Sequence, residues 1–326
     1  MKKFVSIILT LTILASISLG GVSAVEVGYN GMYFEVDSKT MTAILVDYDG
    51  TDTSLSIPRE VHGYEITEIA DRAFFENNTL EYIYVPYTVN KVGSYAFSDC
   101  TALDEVHLPS SVTSMGDAVF LNSTKLSNVT MYCNIEELPF NTFGSCTSLV
   151  DVELGRFISK IGANAFSDCT SLKNIPLNDN IVAFGSNAFR GSGVEEVVIP
   201  STVTELTWYS FANCDNLTKI TIGKNVKTID STAFKNCNNV TIYCYKNSVA
   251  HNFASNKNIP YVILDPYDLG DVDLSGVVDI KDSTSIQKHL AEIEMLDDTQ
   301  LSVADFNQDG GINIIDATAI QKYLVS

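Results

Sequence analysis

The apolar residues of this chain recur on a long period. Phenylalanine stands at Phe74, Phe97, Phe120, Phe143, Phe166, Phe189, Phe211 and Phe234, in steps of 23 with a single step of 22. Each of the eight sits in the same frame. An apolar pair precedes it (Val112 and Met115, Ile158 and Ile161), a leucine follows it (Leu126, Leu172), and an alternating apolar pair comes next (Val129 and Met131, Ile175 and Leu177). Alternation over so few residues predicts a short strand with one face buried. One strand per unit predicts stacked units sharing a parallel sheet, about 4.8 Å apart, so that eight units make a curved rod roughly 35–40 Å long. The outward positions then form two columns, Tyr82, Glu105, Asn128, Asp151, Asn174, Glu196 and Lys219 beside Tyr84, His107, Thr130, Glu153, Pro176, Val198 and Thr221. Two irregularities interrupt the frame: Pro176 falls inside a predicted strand, and the unit after Phe189 lacks one residue.

The end of the chain carries a repeat of another kind. "GDVDLSGVVDIKDSTSIQKHL" and "ADFNQDGGINIIDATAIQKYL" align at an offset of 34, Asp271 on Asp305 and "IQK" on "IQK". Oxygen-bearing residues fall at loop positions 1, 3, 5, 9 and 12: Asp271, Asp273, Ser275, Asp279 and Asp282, then Asp305, Asn307, Asp309, Asn313 and Asp316. Gly276 and Gly310 stand at position 6, and Val277 and Gly311 at position 7. That is EF-hand spacing. A hard cation such as calcium takes six to eight oxygens, the glycine makes the sharp turn, and position 7 contributes its backbone carbonyl. Asp, Asn and Gly also make ordinary turns, but two copies in register are hard to reconcile with turn-making alone. A calcium sensor would carry full helix-loop-helix hands with Glu at position 12, whereas both copies have Asp, and the chain reaches the first loop through "VILDPYDLG" with no long helix.

Composition narrows the setting. "MKKFVSIILTLTILASISLGGVSA" places two lysines before an apolar run and ends in small residues, the layout of a signal peptide cleaved after Ala24. No later stretch is long and apolar enough to span a bilayer, so an exported protein without a membrane anchor is expected. Forty acidic residues against 20 basic ones give a formal net charge of −20, which repels nucleic acid and suits an extracellular cation binder.

Units such as "LDEVHLPSSVTSMGDAVF" and "VEEVVIPSTVTELTWYSF" resemble the repeats of the BspA-like leucine-rich repeat family. The likeness extends over about residues 55–264. It implies an α/β leucine-rich-repeat solenoid with a parallel sheet, an N-terminal cap over 25–60, and a closing unit in "IYCYKNSVAHNFASNKNIPYVIL". Five of the seven cysteines, Cys100, Cys146, Cys169, Cys214 and Cys237, stand three residues after a repeat phenylalanine, where other units carry Asn77, Ser123 or Ser192. A buried turn that accepts Cys, Ser or Asn wants a small, mildly polar side chain, and a free thiol meets the need. Stacked pairs such as Cys146 and Cys169 are also near enough to bridge, and both states stay open. An odd total leaves at least one thiol unpaired.

The duplicated half hand with Asp at position 12 resembles the type I dockerins, and its "IQK" endings those of gut ruminococci. The resemblance divides the chain into a leader at 1–24, a solenoid at 25–264 and a small all-α dockerin at 265–326. It implies two calcium ions, and a cohesin of a scaffoldin as partner. In that family positions 10, 11, 17 and 18 select the cohesin, which here are Ile280, Lys281, Gln287 and Lys288, then Ile314, Ile315, Gln321 and Lys322. Ile-Lys and Ile-Ile replace the Ser-Thr common at positions 10 and 11. Ile286, Leu290, Ile320 and Leu324, at helical spacing, are expected in the core.

The expected function is a non-catalytic, secreted component of a polysaccharide-degrading cellulosome, held at a cell surface or substrate by its dockerin while the rod binds a protein or glycan. The two modules and the leader fill the sequence, leaving no room for a glycosidase domain. The competing expectation is a carbohydrate-active enzyme recruited by the same dockerin, since Glu105, Asp151, Glu153 and Glu196 share one face and paired carboxylates hydrolyse glycosides. Outward positions must be polar in any case, so a solvated acidic face is the preferred reading of those carboxylates.

Overall fold

The structure is a computed structural model that describes residues 25–325 except 176, 178, 265, 266 and 276. The leader at 1–24, Pro176, Gly276 and the proline of the linker "LDPYDLG" therefore lie outside the described residues. The chain divides into two compact units, Met1–Thr241 and Ile242–Ser326.

The first unit opens with an antiparallel meander, β1 (Val25–Tyr29), β2 (Met32–Asp37) and β3 (Thr42–Tyr48). Asn30 and Gly31 both hold positive φ, at 49° and 75°, as a tight hairpin turn demands. Met32, Phe34 and Val36 alternate inward against Ala43 and Leu45, giving the meander one buried face. β3 then pairs in parallel with the strand Tyr64–Ile69, so the cap passes its sheet directly to the first repeats.

Every repeat but the one around Ile175 contributes a short strand to a parallel sheet. Strands Ser54–Ser56, Tyr82–Tyr84, Glu105–Leu108, Asn128–Met131 and Asp151–Glu153 lie side by side, and Glu196–Val198 pairs with Lys219–Thr221. Two-residue strands such as Lys91–Val92 and Ser114–Met115 pair on a second side of the coil. The register sets Tyr82, Glu105, Asn128 and Asp151 opposite one another, and Tyr84, His107, Thr130 and Glu153 likewise. One predicted strand is missing: the described residues around Ile175 and Leu177 are not extended in a ladder, and the Leu177 N–H donates back to Ile175 O at 2.8 Å. A proline brings no N–H to a ladder, and the sequence puts one between these two residues.

The eight phenylalanines form a continuous buried stack, with centroids 5.0 Å apart from Phe74 to Phe97 and 5.9 Å apart from Phe211 to Phe234. Tyr48 of the cap meets the first ring at 5.4 Å. Between the rings runs a backbone ladder in which Phe97 N–H donates to Val119 O, Phe120 N–H to Thr142 O and Phe143 N–H to Ala165 O, at 2.8–2.9 Å. The small-residue position three after the ring has a specific task. Cys100 Sγ donates to Phe74 O at 3.0 Å, Ser123 Oγ to Phe97 O at 2.7 Å and Cys146 Sγ to Phe120 O at 3.0 Å, each reaching back 26 residues. A thiol and a hydroxyl serve alike because each is a short donor aimed at a buried carbonyl that needs a partner. All seven cysteines are free, and burial pushes the Cys100 thiol up to about 12.

The second unit has one short pair of parallel strands followed by helices. Ile242–Cys244 pair in parallel with Tyr261–Ile263, joined through α1 (Val249–Lys257). Beyond lie α2 (Ile280–Leu290), α3 (Asp298–Ala304) and α4 (Ile314–Leu324). Their core is small: Val272, Ile286, Leu296, Ala304, Ala317 and Ile320. Ile286 and Ile320 are buried as the spacing predicts, but Leu290 and Leu324 are 41% and 39% exposed. Each is the last residue of its helix, one turn beyond the buried isoleucine with which this core ends.

Candidate calcium and partner-binding site

The two loops are built around the aspartate at position 12. Asp282 is the third residue of α2 and Asp316 the third of α4, and each closes a capping box with the residue at position 9, Asp279 or Asn313. Asp282 Oδ1 accepts from Asp273 N–H at 2.9 Å and Oδ2 from Asp279 N–H at 2.7 Å. In the second copy Asp316 accepts from Asn307 N–H at 3.1 Å and Asn313 N–H at 2.9 Å. Position 12 thus pins the loop's start and end to the helix. An aspartate reaches both backbone groups from the third helical position, as the side chain of a capping box does.

Position 1 is buried in the first loop, where Asp271 has no solvent exposure, as have Asp282 and Asp316. Carboxylate oxygens of Asp271, Asp273 and Asp282 come within 4.8 Å of one another. Burial raises the Asp282 carboxyl pKa, and the charges of Asp273 and Asp271 raise it further against the two backbone N–H groups. Three convergent carboxylates in a partly dry loop repel one another, and a hard divalent cation removes that repulsion. The donor set, all oxygen, fits calcium. Ser275 Oγ is turned to Val277 O at 3.3 Å. Asp279 caps α2 through a 2.6 Å bond from Lys281 N–H, as Asn313 caps α4 through a 2.8 Å bond from Ile315 N–H.

The second loop is drawn closed by its own amides. Asp305 accepts from Asp309 and Gly310 N–H, Asn307 Oδ1 from Asp309 N–H, and Asp309 Oδ1 from Gly311 N–H, at 2.9–3.1 Å. Gly310 holds φ +91°, which a residue with a Cβ adopts at a cost. Asn313 Nδ2 donates to Gly311 O at 3.0 Å.

α2 and α4 pack on each other, with Ser283 Oγ donating to Ala317 O and Gln321 Nε2 to Ser283 Oγ at 3.0 and 2.9 Å. Ile280, Lys281, Gln287 and Lys288 are exposed, and so are Ile314, Ile315, Gln321 and Lys322. Sequence reasoning missed that Ile293 and Met295, in the connector after α2, are more exposed still, at 74% and 68%; alternation with Glu292 and Glu294 was the available signal. It also missed the left-handed residues two after each ring and two before every ring but Phe234, for instance Tyr95 and Asp99 around Phe97, at φ 58° and 59°. Asn, Asp or Gly at most of the later positions, as in Asn122, Asp168 and Gly191, carried that signal.

On the sheet face, Glu105 lies 3.1 Å from His107 and Glu196 3.2 Å from Lys219. Among the described residues no helix is long and apolar enough to cross a membrane.

A short-unit coil of parallel strands with a phenylalanine spine is a leucine-rich-repeat solenoid, here followed by a duplicated loop-helix module. The BspA type leucine-rich repeat region matches residues 67–192 and 137–259, in six copies, and the dockerin type I domain matches residues 269–325. The chain belongs to the BspA-type leucine-rich repeat family and carries a type I dockerin. Similar solved structures include a leucine-rich repeat protein from Eubacterium ventriosum (25% identity over 51% of this chain and 50% of that one, TM-score 0.43). Others are a leucine-rich repeat protein from Bacteroides ovatus (21%, 67% and 70%, 0.44) and a leucine-rich cell surface protein from Faecalibacterium prausnitzii (21%, 67% and 88%, 0.36). The match spans half the length of the Eubacterium chain. No curated protein matches this chain. Type I dockerins bind calcium and cohesins, leucine-rich repeats mediate protein interaction, and neither is a catalytic domain.

Proposed function

We propose that the protein is a non-catalytic, secreted cellulosome component. Residues 265–326 dock a scaffoldin cohesin with two calcium ions bound, and residues 25–264 hold a protein or glycan partner. The observation that carries the docking half is the exposure of matching side chains on α2 and α4, Ile280 and Lys281 with Ile314 and Ile315, just after loops whose positions 9 and 12 are engaged in the capping boxes. Small apolar anchors with a polar rim suit a protein interface. The ions are held by Asp271, Asp273, Ser275, the Val277 carbonyl, Asp279 and Asp282, and by their equivalents from Asp305 to Asp316. The non-catalytic reading is supported by the pairing of Glu105 with His107 and of Glu196 with Lys219, which makes those carboxylates parts of a solvated charged face.

The test is binding of the full-length chain to cohesins of its own organism with calcium or with chelator. Changing Ile280, Lys281, Ile314 and Ile315 together should weaken binding by about tenfold or more, about 1.4 kcal/mol, while two calcium ions still bind. A chain that binds no cohesin in calcium, or that hydrolyses a polysaccharide, refutes the proposal.

A further inference from the structure

In the repeat frame a proline follows the strand, as at Pro86, Pro109 and Pro200, but three consecutive units put Tyr132, Gly155 and Asn178 there instead. A groove of about 740 Å³ opens at this departure, lined by Ser110, Tyr132, Asn134, Glu153, Gly155 and Arg156 among others. Gly155 has no room for a side chain, since a Cβ would stand 2.6 Å from Cys133 O and 2.9 Å from Met131 O. The unit beyond Tyr132 therefore places no side chain at that position to cover the ring, which is 57% exposed.

We infer that this groove binds a pyranose unit of an uncharged polysaccharide, with the Tyr132 ring as its platform; the inference rests on the reading of the repeat unit as a binding module. A pyranose has an apolar C–H face and a rim of hydroxyls. An exposed aromatic ring takes the face. A carboxylate accepts from neighbouring hydroxyls, while a guanidinium and an amide donate to their oxygens. Glu153 is exposed, and among the described residues its carboxylate has no hydrogen bond or ion pair. Arg156 lies with its guanidinium carbon 4.7 Å over the Phe157 ring, which orients the planar group. Asn134 Nδ2 is fixed on Ser110 O at 2.9 Å. Three polar groups around one aromatic ring suit a ligand that is polar at its edges and apolar on its face. The groove lies within the usual small-ligand range of about 300–1,000 Å³. The net charge of −20 disfavours a polyanionic glycan.

The test titrates the full-length protein, in calcium, with cellohexaose, xylohexaose, mannohexaose and polygalacturonate by calorimetry. At least one uncharged hexamer should bind. Tyr132→Ala should lower its affinity by about tenfold, Glu153→Gln by about threefold, and Trp208→Ala, an exposed aromatic outside the groove, should change nothing. Tyr132→Gln retains the backbone N–H that donates to Leu108 O at 3.0 Å, so it keeps the coil and should still lose binding for want of the ring. Retained affinity in both Tyr132 variants, or preference for polygalacturonate, overturns the inference. Failure to bind any uncharged hexamer while a protein partner is held by the repeats overturns it and leaves the binding-module reading intact; failure to bind either sinks both.

Discussion

The repeat unit and the C-terminal helices are both duplicated structures, but repetition does different work in each. In the coil every copy is the floor of the next. The ring at Phe120 stacks on Phe97 and Phe143 at 5.5 Å each, and the Cys146 thiol satisfies a carbonyl of the unit before. Stability is then shared among neighbours and drawn from apolar burial. In the C-terminal unit the two copies meet through a handful of residues, Ile286, Ala317 and Ile320 among them, while the first loop draws the carboxylates of Asp271, Asp273 and Asp282 together. So few buried side chains carry little folding free energy, and acidic loops subtract from it until a cation is bound. One kind of repeat is stabilised by its neighbour; the other is expected to depend on its ligand.

Removing calcium should break this comparison open most visibly. With excess chelator the full-length chain should lose the helical circular dichroism of α2, α3 and α4 while the β signal and the main melting transition stay. A helical signal indifferent to chelator would show that the small core suffices. Next in size is the spine. Phe143→Ala should cost the coil about 3–5 kcal/mol in urea unfolding and leave calcium stoichiometry unaltered; a loss of ions in that variant would mean that the two regions are coupled. Asp282→Ala removes a candidate ligand and the acceptor of two backbone N–H groups. It should reduce bound calcium from two ions to one, and leave about 1–3 kcal/mol of unsatisfied donors in the loop.

The smallest effect concerns one thiol. Cys100→Ser should be close to neutral at pH 7, since Ser123 performs the same task, whereas Cys100→Ala should cost about 1 kcal/mol for the lost bond. Burial holds the folded thiol at about 12 against an ordinary 9.0. The unfolded chain therefore releases this proton first as pH rises, and the folded state loses stability between those values, by up to about 1.4 kcal/mol per pH unit. Below pH 9 the thiol contributes its full share. Urea midpoints from pH 8 to 10.5 should fall less steeply for Cys100→Ser than for the unaltered chain; equal slopes would mean that the thiol ionises in place.

The sequence alone determined the period of the coil, the identity of its spine and the register of the calcium loops. These are patterns of spacing, and a buried ring every 23 residues or an oxygen at positions 1, 3, 5, 9 and 12 is specified locally. Only the tertiary structure decided what each repeat does to its neighbour. The donor from Cys146 to Phe120 O spans 26 residues, a distance set by how coils stack. The helical spacing of Leu290 and Leu324 put both in the core, but helical period does not reveal where a partner helix ends. Tyr132 and Gly155 read along the chain as departures from a motif that has proline at Pro109. Stacking brings such positions side by side, and a groove exists only where adjacent units leave the same space unfilled.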